Sequence, residues 1–263
     1  MKKIELILRE HKYKQGDICP AIEPNVKEDC LFMEDGKVIG FYIKKAPKKL
    51  LELVNLANSE FRSDRVPKSV MSRKAADGKD EETGKYKYRN EVFQYSTIIG
   101  SIPEKPHMKR NYKCISSVHQ HESAQRFIKS MLLACEESEK LINKYMPEQY
   151  AEQMEIFKNV PDDWKFGNMF TSSISNFNIP AAFHIDRGNI KNTVNVIITK
   201  RKLSKGGCLY VPDYDACIEQ SDGSVLVYPA WKSMHGVTPI EQYTEKSYRN
   251  SLIFYPLKAF LEN

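Results

Sequence analysis

The sequence has no run of eighteen apolar residues, which excludes a membrane-spanning helix. It has no Cys-x-x-Cys pair. Cys19, Cys30, Cys114, Cys135, Cys208 and Cys217 are scattered, so neither a disulfide framework nor a cysteine-bound zinc site has the spacing it needs. These thiols are expected to stay reduced, in a cytoplasm-like compartment. No internal repeat or low-complexity block stands out, which removes solenoids and biased-composition tails. Met1 to Glu10 starts basic and turns apolar, but Glu5 and Arg9-Glu10 interrupt it too soon for a secretory signal. Nor is there a large excess of one charge: a net +6 permits an anionic partner without requiring one.

What remains is a chain of 263 residues, 41% hydrophobic and 11% aromatic, able to fold around a substantial core. Up to about Glu60 it mixes short strand-like pieces with one helix. Gly36 to Ile43 reads as a strand after an Asp-Gly turn, and Pro47 to Asn58 carries the apolar crowding of a helix. Phe61 to Tyr88 shifts to charge around Asp77 to Gly84, and reads as a mobile loop bounded by basic residues. Ser123 to Tyr145 is the clearest helix, with Phe127, Met131, Leu132, Ala134, Cys135, Leu141 and Ile142 on one side and Pro147 marking its end. After Trp164, short β-type runs follow at regular intervals: Phe170–Asn178, Thr193–Thr199, Cys208–Val211, Ser224–Tyr228 and Asn250–Tyr255. Turn signals separate them, as in a β-sandwich or jelly roll with the upstream helices packed outside. The chain is expected to be one catalytic unit, 1–263. Residues 1–160 would form an α/β support able to meet substrate, and residues 161–263 the strand-rich core.

The chemistry sits in that second part. His184 and Asp186 are two residues apart on an extended segment, so both side chains leave the same face. His235 follows a later strand and supplies a third ligand. Two histidines and a carboxylate are the ligand set of a non-haem Fe(II) site with open positions. Zinc competes for the same set. Arg249 and Ser251 share a face of the next strand, where a guanidinium fork and a hydroxyl can grip a distal carboxylate. That pair has no task in a zinc hydrolase, so iron with 2-oxoglutarate leads. His119 and His121 form a second His-x-His before the long helix; helix-start polarity or substrate contacts explain them better than a second metal. His11 and His107 are assigned nothing.

With those residues placed, the stretch from Phe166 to Tyr255 resembles the Fe(II)/2-oxoglutarate dioxygenases, and within them the TET/JBP group, particularly phage-type members that oxidise 5-methylpyrimidines. The similarity is carried by Phe166-Gly167-Asn168-Met169-Phe170 and the strand after it, and by His184-Ile185-Asp186-Arg187-Gly188-Asn189. It continues through Gly206-Gly207-Cys208-Leu209-Tyr210-Val211-Pro212-Asp213-Tyr214, His235-Gly236-Val237-Thr238-Pro239 and Tyr248-Arg249-Asn250-Ser251.

The resemblance implies an α+β fold with a double-stranded β-helix (jelly-roll) core. It implies Fe(II), 2-oxoglutarate and O2 as cofactor and cosubstrates. His184, Asp186 and His235 would ligate the iron, and Arg249 with Ser251 would hold the C5 carboxylate. Asn189 falls where the group can place a residue that meets a base edge. Asn176 and Asn178 could meet the C1 carboxylate or the substrate. The expected reaction is hydroxylation of the methyl group of 5-methylcytosine or thymine in nucleic acid, DNA first, in the host cytoplasm if the chain is phage-encoded. The alternative is the same chemistry on a protein side chain or a small molecule. Lys105, Lys109, Arg110, Tyr112 and Lys113, and separately Lys200, Arg201, Lys202 and Lys205, are candidate phosphate contacts. Trp231, Tyr214 and Tyr248 are candidates to stack on an extruded base.

Overall fold

In the computed structural model, residues 1–79, 82, 86–244 and 246–262 are described. The chain opens with β1 (Lys2–Glu5), β2 (Cys30–Glu34) and β3 (Lys37–Ile43). The β2–β3 turn is Asp35-Gly36, both at positive φ (50° and 77°), the geometry that matches the twist of a tight hairpin. Helix α1 (Lys48–Arg62) buries Leu50, Val54, Ala57 and Phe61 along one stripe.

Strands β4 (Ser69–Lys79) and β5 (Tyr86–Ile102) follow as an antiparallel pair. This corrects the mobile-loop expectation for Phe61 to Tyr88, whose residues 80, 81 and 83–85 lie outside the described residues. Charge alone does not make a loop: Tyr, Val, Phe and Thr recur along β5, and such residues favour strand in a hairpin that can leave one face to solvent. A short β6 (Cys114–Ile115) pairs with β5. Helix α2 (Gln125–Tyr145) ends where sequence predicts, because the residue before Pro147 is pushed out of helical geometry, and Pro147 itself opens α3 (Pro147–Ile156).

The remaining strands are β7 (Ser172–Phe177), β8 (Ala181–His184), β9 (Asn195–Lys202), β10 (Ser204–Gly206), β11 (Leu209–Val211) and β12 (Ala216–Ile218). They end with β13 (Val225–Tyr228), β14 (His235–Val237), β15 (Ile240–Gln242) and β16 (Tyr248–Tyr255). A 10-stranded sheet runs β1-β2-β3-β13-β9-β16-β7-β5-β4, with β6 on β5, and a 4-stranded sheet runs β12-β11-β14-β8. The strands after Trp164 thus divide between these two sheets, apart from β10 and β15, which pair with each other as a two-stranded ribbon. The first hundred residues do more than cover them: they extend the large sheet at both edges.

Two cores result. On the outer face of the large sheet, Val196, Ile198, Val225, Val227, Leu252 and Phe254 pack against the stripes of α1 and α2. Between the sheets lie Phe32, Tyr42, Ile197, Leu226 and Tyr228 from one side and Leu209, Val211 and Ile218 from the other. The far face of the small sheet is closed by an N-terminal strap. Gly16 N–H donates to the Phe183 carbonyl (2.7 Å), Phe183 N–H to the Asp17 carbonyl (2.9 Å) and Arg9 N–H to the Asp213 carbonyl (2.8 Å). Tyr13, Cys19 and Ile22 fill the space over Phe183, Cys208, Tyr210 and Cys217. No helix among the described residues is long and apolar enough to cross a membrane.

Candidate metal centre

His184 closes β8 and Asp186 follows two residues on. Antiparallel pairing sets His235 of β14 directly opposite His184, with ring centroids 4.4 Å apart. One ligand atom from each of His184, Asp186 and His235 lies within 4.8 Å of the others, close enough to share one ion. His235 is buried, whereas His184 and Asp186 are half-exposed, so the cluster opens to solvent on one side.

The surroundings orient these groups. His184 Nδ1 is 2.8 Å from the Ala182 carbonyl and His235 Nδ1 is 3.0 Å from the Ser233 carbonyl. A carbonyl only accepts, so each Nδ1 carries the proton and each Nε2 keeps its lone pair for a metal. Burial pushes the His235 imidazole pKa down, with Asp186 opposing and His184 assisting, which favours the neutral, ligating form. Tyr228 stands edge-on to His235 (5.3 Å, 86°), and burial beside Asp186 drives its phenol well above the ordinary range.

Asp186 is held at its other oxygen: Asn195 Nδ2 donates to Oδ2 (3.1 Å), and Asn189 Nδ2 donates in turn to Asn195 Oδ1 (2.8 Å). Asn189 is buried. In this structure its Nδ2 serves a relay that supports the carboxylate. Asn195 escaped the sequence reading. Its signal is a single amide opening the apolar run Asn195-Val196-Ile197-Ile198, at a position whose side chain must face between the sheets.

Arg249 and Ser251 share the inner face of β16. Arg249 is only 2% exposed, its Nη1 donates to Ser251 Oγ at 3.4 Å, and its Nε has no hydrogen-bond partner among the described residues. Arg201 lies directly across the β9–β16 ladder, a like-charge pair that costs energy unless an anion joins it. Arg201 already donates to the carbonyls of Ser204, Gly206 and Gln220. Burial and Arg201 pull the Arg249 guanidinium down to about 10, still a cation at neutral pH. A buried cation with an idle donor is the complement of a carboxylate. Room for the Arg249 side chain itself depends on Gly207, where a Cβ would come within 2.4 Å of Arg249 Cδ.

Asn178 takes a left-handed conformation (φ 58°), and its Oδ1 accepts from Arg249 N–H at 2.9 Å. Its own N–H donates to the Arg249 carbonyl (2.7 Å), so it pins the start of β16. Asn176 is half-buried and paired with Ser251 across the β7–β16 ladder, on the inner face.

Other expectations fare differently. Lys200 is buried on Asp222 (2.8 Å) and Arg201 is consumed by carbonyls, so these two are internal ties instead of phosphate contacts, while Lys205 forms an exposed surface pair with Glu23 (2.8 Å). Arg110 donates to the Pro103 carbonyl (2.6 Å). His119 accepts from Gly100 N–H (2.9 Å), which removes it from any second metal cluster. His11 pairs with Asp213 (2.7 Å). Tyr248 is buried, stacked on Phe177 (5.7 Å, 13°) beneath Arg62, and Tyr214 donates to Glu34 (2.9 Å); neither is free to receive a base. Trp231 is half-buried, its Nε1 donating to the Thr193 carbonyl (2.9 Å).

Residues 103–258 match the Tet_JBP family model, the oxygenase domain of the 2OGFeDO superfamily. The fold is similar to that of NgTET1, solved in complex with 5mC DNA, with a TM-score of 0.58 at 13% identity over 94% of this chain and 84% of that one. A 2OG-Fe(II) oxygenase family oxidoreductase from Burkholderia pseudomallei aligns at 0.47 and 13% identity over 82% of each chain. OsALKBH1 aligns at 0.40 and 13% identity over 82% of this chain and 97% of that one. No curated protein matches the chain.

Proposed function

Because the chain belongs to the Tet/JBP oxygenases, oxidoreductases that use Fe(II), 2-oxoglutarate and O2, we propose that it hydroxylates the methyl group of a 5-methylpyrimidine in nucleic acid. His184, Asp186 and His235 hold the iron, and Arg249 with Ser251 holds the C5 carboxylate of 2-oxoglutarate. The observation that carries this reading is the pairing of two fitted halves. Both histidines have Nδ1 tied back so that Nε2 is free, and a buried arginine keeps an unpaired Nε beside a serine. The strands β7, β8, β9, β11, β12, β13, β14 and β16 are read as the jelly roll of this superfamily. Residues 161–263 form that core, and residues 1–160 support it and meet substrate.

When bound, the iron would couple the oxidative decarboxylation of 2-oxoglutarate to the reduction of O2, one oxygen atom going to succinate and the other into a substrate C–H bond. The chain's own residues do the rest. Asn189 and Asn195 hold the Asp186 carboxylate in one orientation. Asn178 fixes the β16 backbone from which Arg249 reaches. The half-exposed side of the cluster leaves an approach for a base withdrawn from its stack.

The test is incubation with Fe(II), 2-oxoglutarate, ascorbate, air and 5-methylcytosine DNA, followed by digestion and mass spectrometry of the nucleosides. A product heavier by one oxygen on the methylated base, absent in Asp186→Ala, is the expected result. Succinate formed without any modified nucleoside, from thymine-containing DNA and RNA as well, would refute the substrate. That outcome would favour a second reading, the same chemistry on a protein side chain or small molecule. The internal use of Lys200 and Arg201 is the observation on its side.

A further inference from the structure

A groove of about 700 Å³ lies against the loop that carries Asp186, a volume suited to a ligand. Its wall is Arg187 and Lys191 on the loop itself, Trp231 beside it and Lys258 from the C-terminal segment. The link to the cluster is direct: Arg187 is the next residue after Asp186, and Asp186 N–H donates to the carbonyl of Ala230 (3.1 Å), next to Trp231. Ile156, Ile190 and Leu261 make the lining apolar.

Charge distinguishes this groove from the other large one, of about 590 Å³, beside Lys202. The latter carries four cations, Lys27, Arg201, Lys202 and Lys205, against the carboxylates Glu23, Glu219, Asp222 and Glu241, and several of these are already joined. The groove at Trp231 sets three cations against the single carboxylate Glu262. Arg187, Lys191 and Lys258 are exposed, and none has an ion pair among the described residues. Unneutralised cations around an apolar, aromatic wall are the chemistry that receives phosphates and a base together.

We propose that this groove is the strand-binding subsite of the enzyme. Arg187, Lys191 and Lys258 take phosphodiesters flanking the target nucleotide, and Trp231 packs on the sugar or base of a neighbouring nucleotide. The inference rests on the nucleic-acid reading of the iron site and gives it a second point of contact. It also replaces the Lys200 to Lys205 stretch as the source of phosphate contacts.

The experiment measures binding of a fluorescent 5-methylcytosine duplex by anisotropy across a salt series, with Fe(II) and 2-oxoglutarate present under anaerobic conditions. Lys191→Glu/Lys258→Glu is compared with Lys202→Glu/Lys205→Glu at the other groove. The first pair is expected to weaken binding roughly tenfold or more and to flatten the slope of log K against log salt by about two, one unit per lost phosphate contact. The second pair should leave the slope as it is. The iron–2-oxoglutarate absorbance should be the same in all three proteins, which shows that the catalytic cluster is intact. An unchanged slope in the first pair, or equal loss in both pairs, overturns the subsite. If the parent protein oxidises 5-methylcytosine DNA while the first pair binds it normally, the groove alone is wrong. If the parent neither binds nor oxidises any nucleic acid, the subsite falls with the reading beneath it.

Discussion

The two faces of β9 and β16 are made by the same residues of chain, taken alternately, and they could hardly differ more. Facing the helices are Val196 and Ile198, opposite Phe254 and Leu252. Facing the small sheet are Asn195, Thr199 and Arg201, with Arg249 opposite Arg201 and Ser251 opposite Thr199. The outer face removes apolar area from water; the inner face buries polar groups that gain only if partnered. One strand therefore carries fold and chemistry in alternate positions, and a slip of one residue would exchange them. The alternation has exceptions on both sides: Ile197 and Ile253 pair on the inner face, and Lys200 and Asn250 pair on the apolar side, where Asn250 Nδ2 donates to Asn58 of α1 (3.0 Å), a polar tie between helix and sheet.

Substitutions on the two sides should separate cleanly. The largest effect is expected at the cluster, where Asp186→Ala should abolish Fe(II) binding and turnover while the apoprotein melts close to the parent. A variant that still binds iron with parental affinity would remove Asp186 from the ligand set. On the outer face, Phe254→Ala, which empties a site between Phe166 and Phe170, should cost about 3–5 kcal/mol in urea unfolding. The same variant should need no more 2-oxoglutarate than the parent; a raised requirement would show that the faces are coupled. Asn195→Ala takes the support from Asp186, and the acceptor from Asn189, while leaving all three ligands, and should lower Fe(II) affinity roughly 10–100-fold, measured by chelator competition. Asn195→Gln, which keeps an amide, should recover part of that loss, whereas mere loss of packing would not be rescued so. Smallest, Arg249→Lys keeps the charge but loses the fork, and should raise the 2-oxoglutarate KM by about tenfold with Fe(II) affinity unchanged. An unaltered KM would take Arg249 out of the clamp.

Much of this contrast is written plainly in the residues. Thr193 to Thr199 and Asn250 to Tyr255 are long enough, and rich enough in β-branched and aromatic residues, for strand alternation to be visible. Strands β8, β12 and β14 are only three or four residues long, too short for a period to show, and they owe their existence to pairing across the small sheet. The charged stretch before Tyr88 misleads because charge does not prevent strand pairing: Ser69–Lys79 pairs antiparallel with Tyr86–Ile102.

At the site, the type and spacing of His184, Asp186, His235, Arg249 and Ser251 are legible because the chemistry tolerates few substitutes. The asparagines are not. An amide can serve a base edge, a backbone or a carboxylate equally well, and only tertiary position assigns Asn189 and Asn195 to Asp186 and Asn178 to Arg249. Basic runs mislead in the same way, since Lys200 and Arg201 look like surface charge until Asp222 and three carbonyls surround them.

The N-terminal strap places a condition on when the site can exist. Gly16 and Asp17 bond to Phe183, the residue before His184, and His11 bonds to Asp213, whose other oxygen accepts from the N–H of Met234, the residue before His235. Residues from the very start of the chain thus stake both histidine strands from behind. The strap thus ties the placing of His184 and His235 to residues 9–17: without it, Phe183 and Asp213 would lose the hydrogen bonds that back the two histidines.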